Sequence, residues 1–444
     1  MRIDRLEIEN FKCFEKLSFD LHPQFTLFVG ENGSGKSSVL DALAVAASVW
    51  LIEPPDSTLH GSRREIKPEE VRLQPQSSGD RSQFAEHLPV CVQATGRFDH
   101  IEGSRSWLQA YPEGPATREA FGLTAWGPTD KLLRDINLLF KHDANSGPGH
   151  ANFPVVAYYS AGRAWSYKRA GSTKINGPAR RWAAFQDCLS GQVNIDQLNV
   201  WFSREAVAYG NRGGRWRPGF EIVRRSILRC VPGSDDIWFD GDRGEIVLSI
   251  DRKPQPIGNL SAGQRMMMAM VADIAIKAVT QNAYLIPPDH LEPEDEPVSR
   301  LLQQTQGVVL IDELDVHLHP RWQRRVVRDL RETFPAIQFI CTSHSPQVIG
   351  ELAPEEIRMF YKDGVQAPPR SFGLDSNRVL EELMGAPTRD PGVETQLREL
   401  FKLIDAEDFD AAQKQIFVVE EQIGGDAPEL SRARTLISFL QSTS

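Results

Sequence analysis

A glycine-rich stretch of eight residues carries the clearest chemistry in the sequence. The stretch 30–37 (GENGSGKS) follows a short apolar run and precedes a helix-type segment. Glycines let successive backbone N–H groups surround a phosphate, and the helix that follows adds positive charge at its N terminus. The lysine can reach the outer phosphates of a nucleotide, and the last serine can bind Mg²⁺. The stretch therefore predicts an ATP site formed by Asn32, Gly33, Ser34, Gly35, Lys36, Ser37 and Ser38.

Two acidic residues at the end of another apolar run could complete this site. The run 308–311 (VVLI) ends in Asp312 and Glu313. Asp312 can hold Mg²⁺ together with Ser37, and Glu313 can orient or deprotonate an attacking water. His344 follows Asp312 by 32 positions, which is room for one helix and one strand, so it can lie beside the γ-phosphate. The pattern predicts ATP hydrolysis with ATP and Mg²⁺ as cofactors and with Glu313 and His344 as catalytic groups.

The elements around these motifs predict an α/β protein. Two segments near the start, RIDRLEIENF and KLSFDL, alternate apolar and polar residues as half-buried strands do. Strand and helix patterns alternate from 308 to 352, which is typical of a parallel sheet. We expect an ATPase head with a mixed or parallel sheet, formed by 1–50 and 255–365. The remainder is expected to comprise an insertion at 51–254, irregular in part and with a basic helical segment at 163–230, and a helical C-terminal tail at 375–444.

Composition indicates where such a protein works. The five cysteines are odd in number, scattered and without CxxC spacing, so they indicate free thiols in a reducing compartment. The first residues lack the apolar core of a secretory signal, and the longest apolar stretch is too short to span a bilayer. We therefore expect a cytoplasmic protein without a membrane partner.

The order of the motifs resembles that of the ABC-class ATPases. The strings NFKCF, DELDVHLHP and CTSHSPQ are closer to the SMC/RecF branch than to transporters, and the resemblance covers about 1–50 and 255–360. In that family LSxGQ, here 260–264 (LSAGQ), is the signature motif of heads that pair head-to-tail. The resemblance implies that Ser261, Ala262, Gly263 and Gln264 of one head contact ATP bound to the other, in a homodimer or higher oligomer.

Three further positions carry weaker predictions. Lys12 occupies the place of a family residue that can contact nucleotide phosphate. The family's Q-loop glutamine has two candidates here, Gln93 on a plausible strand and Arg163 in YYSAGR, and the sequence leaves both open. His317 and His319 have i, i+2 spacing but no evident third ligand, so they do not predict a metal site.

Within this branch, the chain resembles the stand-alone PtuA-type ATPases of Septu and retron anti-phage systems. The strings FPVVAYYSAGRAW, DELDVHLHPRWQ and LFKLIDAEDFDAAQ carry this resemblance. It implies a Mg-dependent ATPase that regulates or assembles a defence complex with a separate nuclease of the HNH type. No nuclease constellation is visible in the chain itself. A RecF-like DNA-repair ATPase and an ATP-gated structural clamp stay open as alternatives.

Charge is distributed unevenly along the chain, whose net charge is −10. The stretch 163–229 has 13 basic and 4 acidic residues, whereas 375–444 has 7 basic and 14 acidic residues. The first could contact nucleic acid through Arg212, Arg215 and Arg217, with Trp216 either stacking on a base or acting as a buried anchor. The second could dock a basic nuclease. Two solvated surfaces would explain the same asymmetry.

Overall fold

The computed structural model describes residues 1–52, 59, 62–78, 81–112, 123–146, 151–164, 181–291, 296–361, 364–425 and 427–443. The β-strands are β1 (Arg2–Phe11), β2 (Phe14–Asp20), β3 (Phe25–Val29), β4 (Arg72–Ser78), β5 (Arg81–His87), β6 (Val90–Phe98), β7 (Ile101–Tyr111), β8 (Val155–Tyr159), β9 (Ser234–Asp240), β10 (Glu245–Ile250), β11 (Lys253–Pro256), β12 (Gly307–Ile311), β13 (Ile337–Thr342), β14 (Ile357–Tyr361) and β15 (Gly364–Gln366). The α-helices are α1 (Lys36–Ala47), α2 (Leu123–Ser146), α3 (Ile195–Asn211), α4 (Pro218–Cys230), α5 (Ala262–Gln281), α6 (Arg300–Gln304), α7 (Pro320–Thr333), α8 (Pro346–Ile349), α9 (Ser376–Arg378), α10 (Pro391–Asp405), α11 (Phe409–Ile423) and α12 (Pro428–Thr443).

A six-stranded sheet holds the motif-bearing strands in the order β15-β14-β3-β13-β12-β8. All neighbours are parallel except β14 and β15. Every residue of β3, β8, β12 and β13 is buried. Continuous apolar runs of this kind are typical of parallel strands that are covered on both faces. The carboxyl ends of these strands meet at one edge, where the predicted site residues follow.

Two neighbouring tyrosines show how the two faces of this sheet are covered. Successive side chains of a strand point to opposite faces. The side chain of Tyr158 borders the same pocket as Asp41 of α1, whereas Tyr159 donates to Asp273 of α5 at 2.6 Å. The helix after the phosphate loop and the helix after the signature motif therefore lie on opposite faces. Helix α1 is apolar nearly all round and buried, as its central position requires.

A second sheet is antiparallel, with the order β2-β1-β6-β7, and α1 lies between the two sheets because it contacts strands of both. Residues 51–254, which the sequence suggests are an insertion, contribute β6 to this sheet and β8 to the parallel one. These pairings join distant parts of the chain, so periodicity within 51–254 does not reveal them. Two smaller antiparallel sheets consist of β9–β11 and of β4 with β5.

The chain divides into two compact units, Met1–Gly373 and Leu374–Ser444. The second unit is helical: α10, α11 and α12 enclose their own small core, which includes Leu400, Ile416 and Leu430. The predicted α/β class, with a mixed sheet and a helical C-terminal region, is confirmed. No helix among the described residues is long and apolar enough to cross a membrane.

Candidate functional site: a phosphate loop with two acidic residues

The predicted phosphate loop links β3 to α1 and depends on its glycines. Gly33 and Gly35 have φ angles of 81° and 95°, in the left-handed region. A Cβ on Gly35 would also lie 2.3 Å from the ring of Phe14 and 2.8 Å from Sγ of Cys13. The turn between β1 and β2 therefore packs directly on the loop, and only glycine fits at this position.

Lys36 is folded into the loop. Its side chain is largely buried, and Nζ donates to the carbonyl oxygens of Gly30 at 2.9 Å and Glu31 at 2.7 Å. Burial lowers the pKa of Lys36, and the charges of Asp312 and Glu313 oppose that shift. The ammonium group thus lies inside the loop, close enough to Asp312 and Glu313 to interact with their charges.

Asp312 is fixed by two hydroxyl groups. Its Oδ1 accepts a hydrogen bond from Ser37 Oγ at 3.2 Å and another from Thr342 Oγ1 at 2.7 Å. Ser37 is the second residue of α1 and Thr342 ends β13, so the carboxylate lies where the loop and two strand ends converge. A serine hydroxyl and a carboxylate at this separation are oxygen ligands of the kind that Mg²⁺ prefers. The pair fits the predicted metal site.

Glu313 has a left-handed backbone, with φ of 51°. Such angles are uncommon for residues other than glycine and often occur at functional sites. The backbone N–H of Glu313 donates to Thr342 Oγ1 at 2.7 Å. Thr342 therefore holds both acidic residues, and sequence reasoning assigned it no role. The parallel register could have revealed it, because Ile311 pairs with Cys341 and the next residues along each strand then lie side by side.

His344 lies at the same edge of the sheet. Its backbone N–H donates to Oδ1 of Asp315 at 3.4 Å. Burial lowers the pKa of His344, and so does the charge of Lys36. The imidazole is therefore predominantly neutral near pH 7, when one ring nitrogen can donate and the other accept. The structure thus brings together the loop, the two acidic residues and the histidine.

Lys12 lies in the turn between β1 and β2, which packs on the phosphate loop. Its Nζ donates to Asp41 on α1 and lies 3.3 Å from Oε1 of Glu70. Glu70 also accepts from Arg64. The charge of Lys12 is thus engaged by two carboxylates in this structure, and its contact with nucleotide phosphate stays a prediction.

The signature segment forms the N terminus of α5. Ser261 is exposed and caps the helix: its Oγ accepts from the N–H of Gln264 at 3.3 Å, and Gln264 Oε1 accepts from the N–H of Ser261 at 3.0 Å. A Cβ on Gly263 would lie 2.4 Å from the carbonyl oxygen of His317. Gly263 therefore packs against the segment that follows the acidic pair. His319, the other histidine of that segment, caps α7.

The two Q-loop candidates differ in position. Strand β8 lies beside β12, and the N–H of Asp312 donates to the carbonyl of Tyr159 at 2.8 Å, so the residues after Tyr159 begin next to the acidic pair. Gln93 lies within β6 of the antiparallel sheet, opposite Glu7. The geometry favours the end of β8. The side chain of Arg163 lies outside the described part of the chain.

The basic stretch is described from Arg181 onward and at 163–164, and residues 165–180 lie outside the description. Arg212, Arg215 and Arg217 are exposed in the turn between α3 and α4. Trp216 lies between two rings, with centroids 4.3 Å from Tyr209 and 4.0 Å from Phe220. The ring is half-buried and packs between two aromatic neighbours, which favours an anchoring role over stacking on a base.

Comparison with known proteins agrees with this site. Residues 5–199 match a family model described as an AAA domain, and residues 246–350 match one described as an AAA domain, putative AbiEii toxin, Type IV TA system. These matches define the chain as an ATPase of the P-loop class.

Similarity to individual proteins shows which P-loop ATPases this chain is related to. The retron Vc95 probable ATPase of Vibrio cholerae serotype O1 biovar El Tor is 41% identical over 441 residues, which cover 86% of this chain and 78% of that protein. Septu protein PtuA of Bacillus mycoides (strain KBAB4) is 45% identical over 369 residues, covering 81% of this chain and 40% of that protein. A solved SMC head bound to the C-winged helix domain of ScpA aligns with a TM-score of 0.41 and 14% identity, covering 84% of this chain and 98% of that one. The chain belongs to the AAA-domain ATPase family that includes the retron ATPases and PtuA.

Proposed function

We propose that this chain is a Mg²⁺-dependent ATPase whose heads pair around ATP and control a separate nuclease in anti-phage defence. The observation that carries the catalytic part is the set of hydrogen bonds from Ser37 and Thr342 to Asp312, beside a phosphate loop that holds Lys36. This set supports the proposed roles of Asn32 through Ser38 in binding ATP.

Each residue of the site has its own proposed role in ATP hydrolysis. Ser37 and Asp312 would hold Mg²⁺, which neutralises phosphate charge when bound. Lys36 exchanges its two carbonyl partners for the outer phosphates. Glu313 accepts a hydrogen bond from the attacking water and takes its proton. His344, neutral near pH 7, donates a ring N–H to the γ-phosphate.

Variants of Lys36 test the nucleotide site. Lys36→Ala should abolish ATP binding in titration calorimetry, because it removes the ammonium group that lies inside the loop against the carbonyl oxygens of Gly30 and Glu31. Lys16→Ala, an exposed lysine of β2, is the matched control and should bind ATP like the wild type. Undiminished affinity of Lys36→Ala would remove the basis of the proposed site.

Head pairing is supported by the exposed N terminus of α5. Helix N termini attract phosphate because their first N–H groups point outward and carry partial positive charge. Ser261 is exposed at this terminus. In a head-to-tail dimer, Ser261, Ala262, Gly263 and Gln264 would meet the γ-phosphate bound to the second head. ATP would then join the two heads, and hydrolysis would release them.

The helical unit 374–444 is the proposed docking site of the nuclease. It encloses its own core, which is consistent with an independent module. Its acidic balance suits a basic protein that binds nucleic acid. Exposed apolar side chains on α11 and α12, namely Phe417, Val418 and Phe439, offer contact area beside these charges. ATP controls the nuclease if the paired and separated heads bind it with different affinity.

A pull-down with genomic neighbours tests this part. The full chain should recover a small HNH-type nuclease, and a chain truncated before Ser376 should bind ATP but lose the nuclease. The pair of proteins should reduce phage plating, and neither alone should do so. If no nuclease is recovered and plating is unchanged, salt-dependent DNA binding with stimulated turnover would favour the repair alternative.

A further inference from the structure

The ammonium group of Lys12 belongs to a cluster of four charged side chains beside the phosphate loop. The cluster contains two cations, Lys12 and Arg64, and two carboxylates, Asp41 and Glu70. All four border a cavity of about 590 Å³. The side chains of Lys12 and Asp41 are 28% and 20% exposed, so this pair is only partly shielded from solvent. The proposed steps of ATP hydrolysis do not use the cluster.

Glu70 keeps its hydrogen bonds without Lys12. Arg64 donates to both carboxylate oxygens of Glu70, and the backbone N–H of Lys67 donates to Oε2 at 3.0 Å. Lys12 adds a longer contact, with Nζ 3.3 Å from Oε1. Movement of Lys12 would therefore leave Glu70 paired with Arg64.

Asp41 is the carboxylate that holds Lys12. Nζ of Lys12 donates to Oδ2 of Asp41, whereas Nη2 of Arg64 lies 3.9 Å from Oδ1. A separation of 3.9 Å is an ion pair without a hydrogen bond. If Lys12 moves, Arg64 can still neutralise Asp41, but the hydrogen bond from Lys12 is lost. Asp41 therefore sets the free energy that is needed to detach Lys12.

The position of Asp41 places the ammonium group of Lys12 within reach of the proposed phosphate site. Asp41 follows Ser37 by four positions in α1, so the two lie on one helix face about 6 Å apart along the axis. The backbone of Lys12 lies in the turn that packs on Gly35. Because lysine has a flexible four-carbon stem, its ammonium group can turn from Asp41 toward the loop while the backbone stays in place.

The ion pair is not needed to fasten the turn between β1 and β2. The backbone N–H of Lys12 donates to the carbonyl oxygen of Glu70 at 2.7 Å. Phe11 forms an antiparallel β-bridge with Val71. Neither contact involves the side chain of Lys12, so this side chain can change partners without loosening the turn.

We propose that Asp41 is a positioning residue that competes with ATP for Lys12. The ammonium group pairs either with Asp41 or with a phosphate oxygen, so the Lys12–Asp41 pair lowers the affinity of the head for ATP. The apparent affinity of a site falls with the fraction of molecules in which its binding groups are available. This inference rests on the proposed ATP site. A permanent pair that only supports the turn predicts the opposite result, because removing Asp41 would then weaken ATP binding.

A double-mutant cycle tests the competition. Calorimetry with Mg²⁺ and a non-hydrolysable ATP analogue measures the affinities of the wild type, Asp41→Asn, Lys12→Ala and the double variant. We expect Asp41→Asn to tighten binding roughly fivefold, which is the worth of a partly exposed ion pair. Lys12→Ala should weaken binding about tenfold, because a charge-assisted hydrogen bond to phosphate is lost. In the Lys12→Ala chain, Asp41→Asn should have no effect, because the group that it releases is absent.

Matched variants separate this pair from other surface charges. Asp20→Asn is the control, because the Asp20 carboxylate pairs with Arg5 at 2.9 Å on the same head. It should bind the analogue like the wild type. Asp41→Ser, a second neutral change, should act like Asp41→Asn, whereas Asp41→Glu keeps the carboxylate and should stay near the wild type. Melting temperature checks the folding of each variant.

The outcome for Asp41→Asn decides the proposal. Unchanged or weaker binding would overturn it, and so would an equal gain in the Lys12→Ala chain, which would show that Asp41 repels the phosphates directly. Lys36→Ala separates this inference from the proposed function. If Lys36→Ala binds the analogue as tightly as the wild type, the proposed ATP site is wrong. If Lys36→Ala does not bind and the cycle shows no coupling, only the competition for Lys12 is wrong.

Discussion

Ser37 and Asp312 are 275 positions apart in the chain, and Oγ of the serine donates to Oδ1 of the aspartate at 3.2 Å. The contact joins the phosphate loop to the strand that carries the acidic pair. Thr342 donates to the same oxygen from a third element. The geometry of the proposed metal site therefore depends on a hydroxyl that would not itself bind the metal.

Thr342→Val tests that dependence. The change keeps the shape of the side chain but removes the donor to Asp312 and the acceptor for the N–H of Glu313. Losses of 10- to 100-fold are usual, at about that order of magnitude, when a group that orients a metal ligand is removed. We expect a higher Mg²⁺ requirement and lower turnover in a Mg²⁺ titration of ATPase activity. Ser345→Ala is the control, because the Ser345 hydroxyl lies within hydrogen-bond distance of Gln323 and Gln347 instead.

Glu313→Gln should retain ATP and lose turnover by roughly 10²- to 10⁴-fold, the usual worth of a positioned base. The amide keeps the size of the side chain but cannot take a proton from water. If hydrolysis releases the paired heads, the variant should accumulate as an ATP-bound dimer. Light scattering with and without ATP measures this. An unchanged mass in a protein that is monomeric without ATP would contradict head pairing.

The chemistry of the phosphate loop could be predicted from sequence because it is local. The loop 30–37 lies between one strand and one helix, and its glycines and lysine are adjacent in the chain. The residues and strands that reach the site from distant parts of the chain could not be predicted in this way. The role of Thr342 follows only from the register of β13 against β12. The pairing of β6 with β1 likewise cannot be deduced from the sequence of either strand alone. Trp216 was ambiguous because a sequence does not show that rings seven positions before and four after it fold onto both its faces.

Ser261→Arg and Gly263→Ala should have different effects, although both alter the signature. Ser261 is exposed, so an arginine fits a single head and should spare ATP binding while lowering turnover in trans. A Cβ on Gly263 would meet the carbonyl of His317 at 2.4 Å, so alanine should lower the melting temperature of the single chain. Calorimetry, turnover and thermal melting together separate the two. Loss of ATP binding in Ser261→Arg would contradict a role in the second head.

The stability of the head should depend on pH through His344. Burial and the charge of Lys36 lower the pKa of His344 in the folded chain, so the unfolded chain binds this proton more readily. Acidification through the usual histidine range, near pH 6.5, therefore favours unfolding, and the effect is complete below the lowered pKa. His344→Gln removes this penalty. Relative to that variant, the wild type should lose melting temperature between about pH 7.5 and 5.5, measured without nucleotide. His290→Gln, at an exposed histidine, is the control.

Cys13 should report on occupancy of the phosphate loop. It is exposed, whereas the other four cysteines are buried, and burial raises the pKa of Cys91, Cys188 and Cys230 to about 12. A thiol reagent should therefore label Cys13 first in the folded chain. Because its Sγ lies against Gly35, a bulky adduct there should hinder nucleotide binding, and bound ATP should slow the labelling.

Mass spectrometry of the maleimide-treated chain measures the site and rate of labelling, with and without Mg²⁺ and ATP. The Lys36→Ala variant should be labelled at Cys13 at one rate under both conditions, because it does not bind ATP. Cys13→Ser should bind ATP like the wild type, and its four buried thiols should react only after unfolding. Equal labelling rates in the wild type with and without saturating ATP would show that the nucleotide does not cover Cys13. The turn between β1 and β2 would then not border the bound nucleotide.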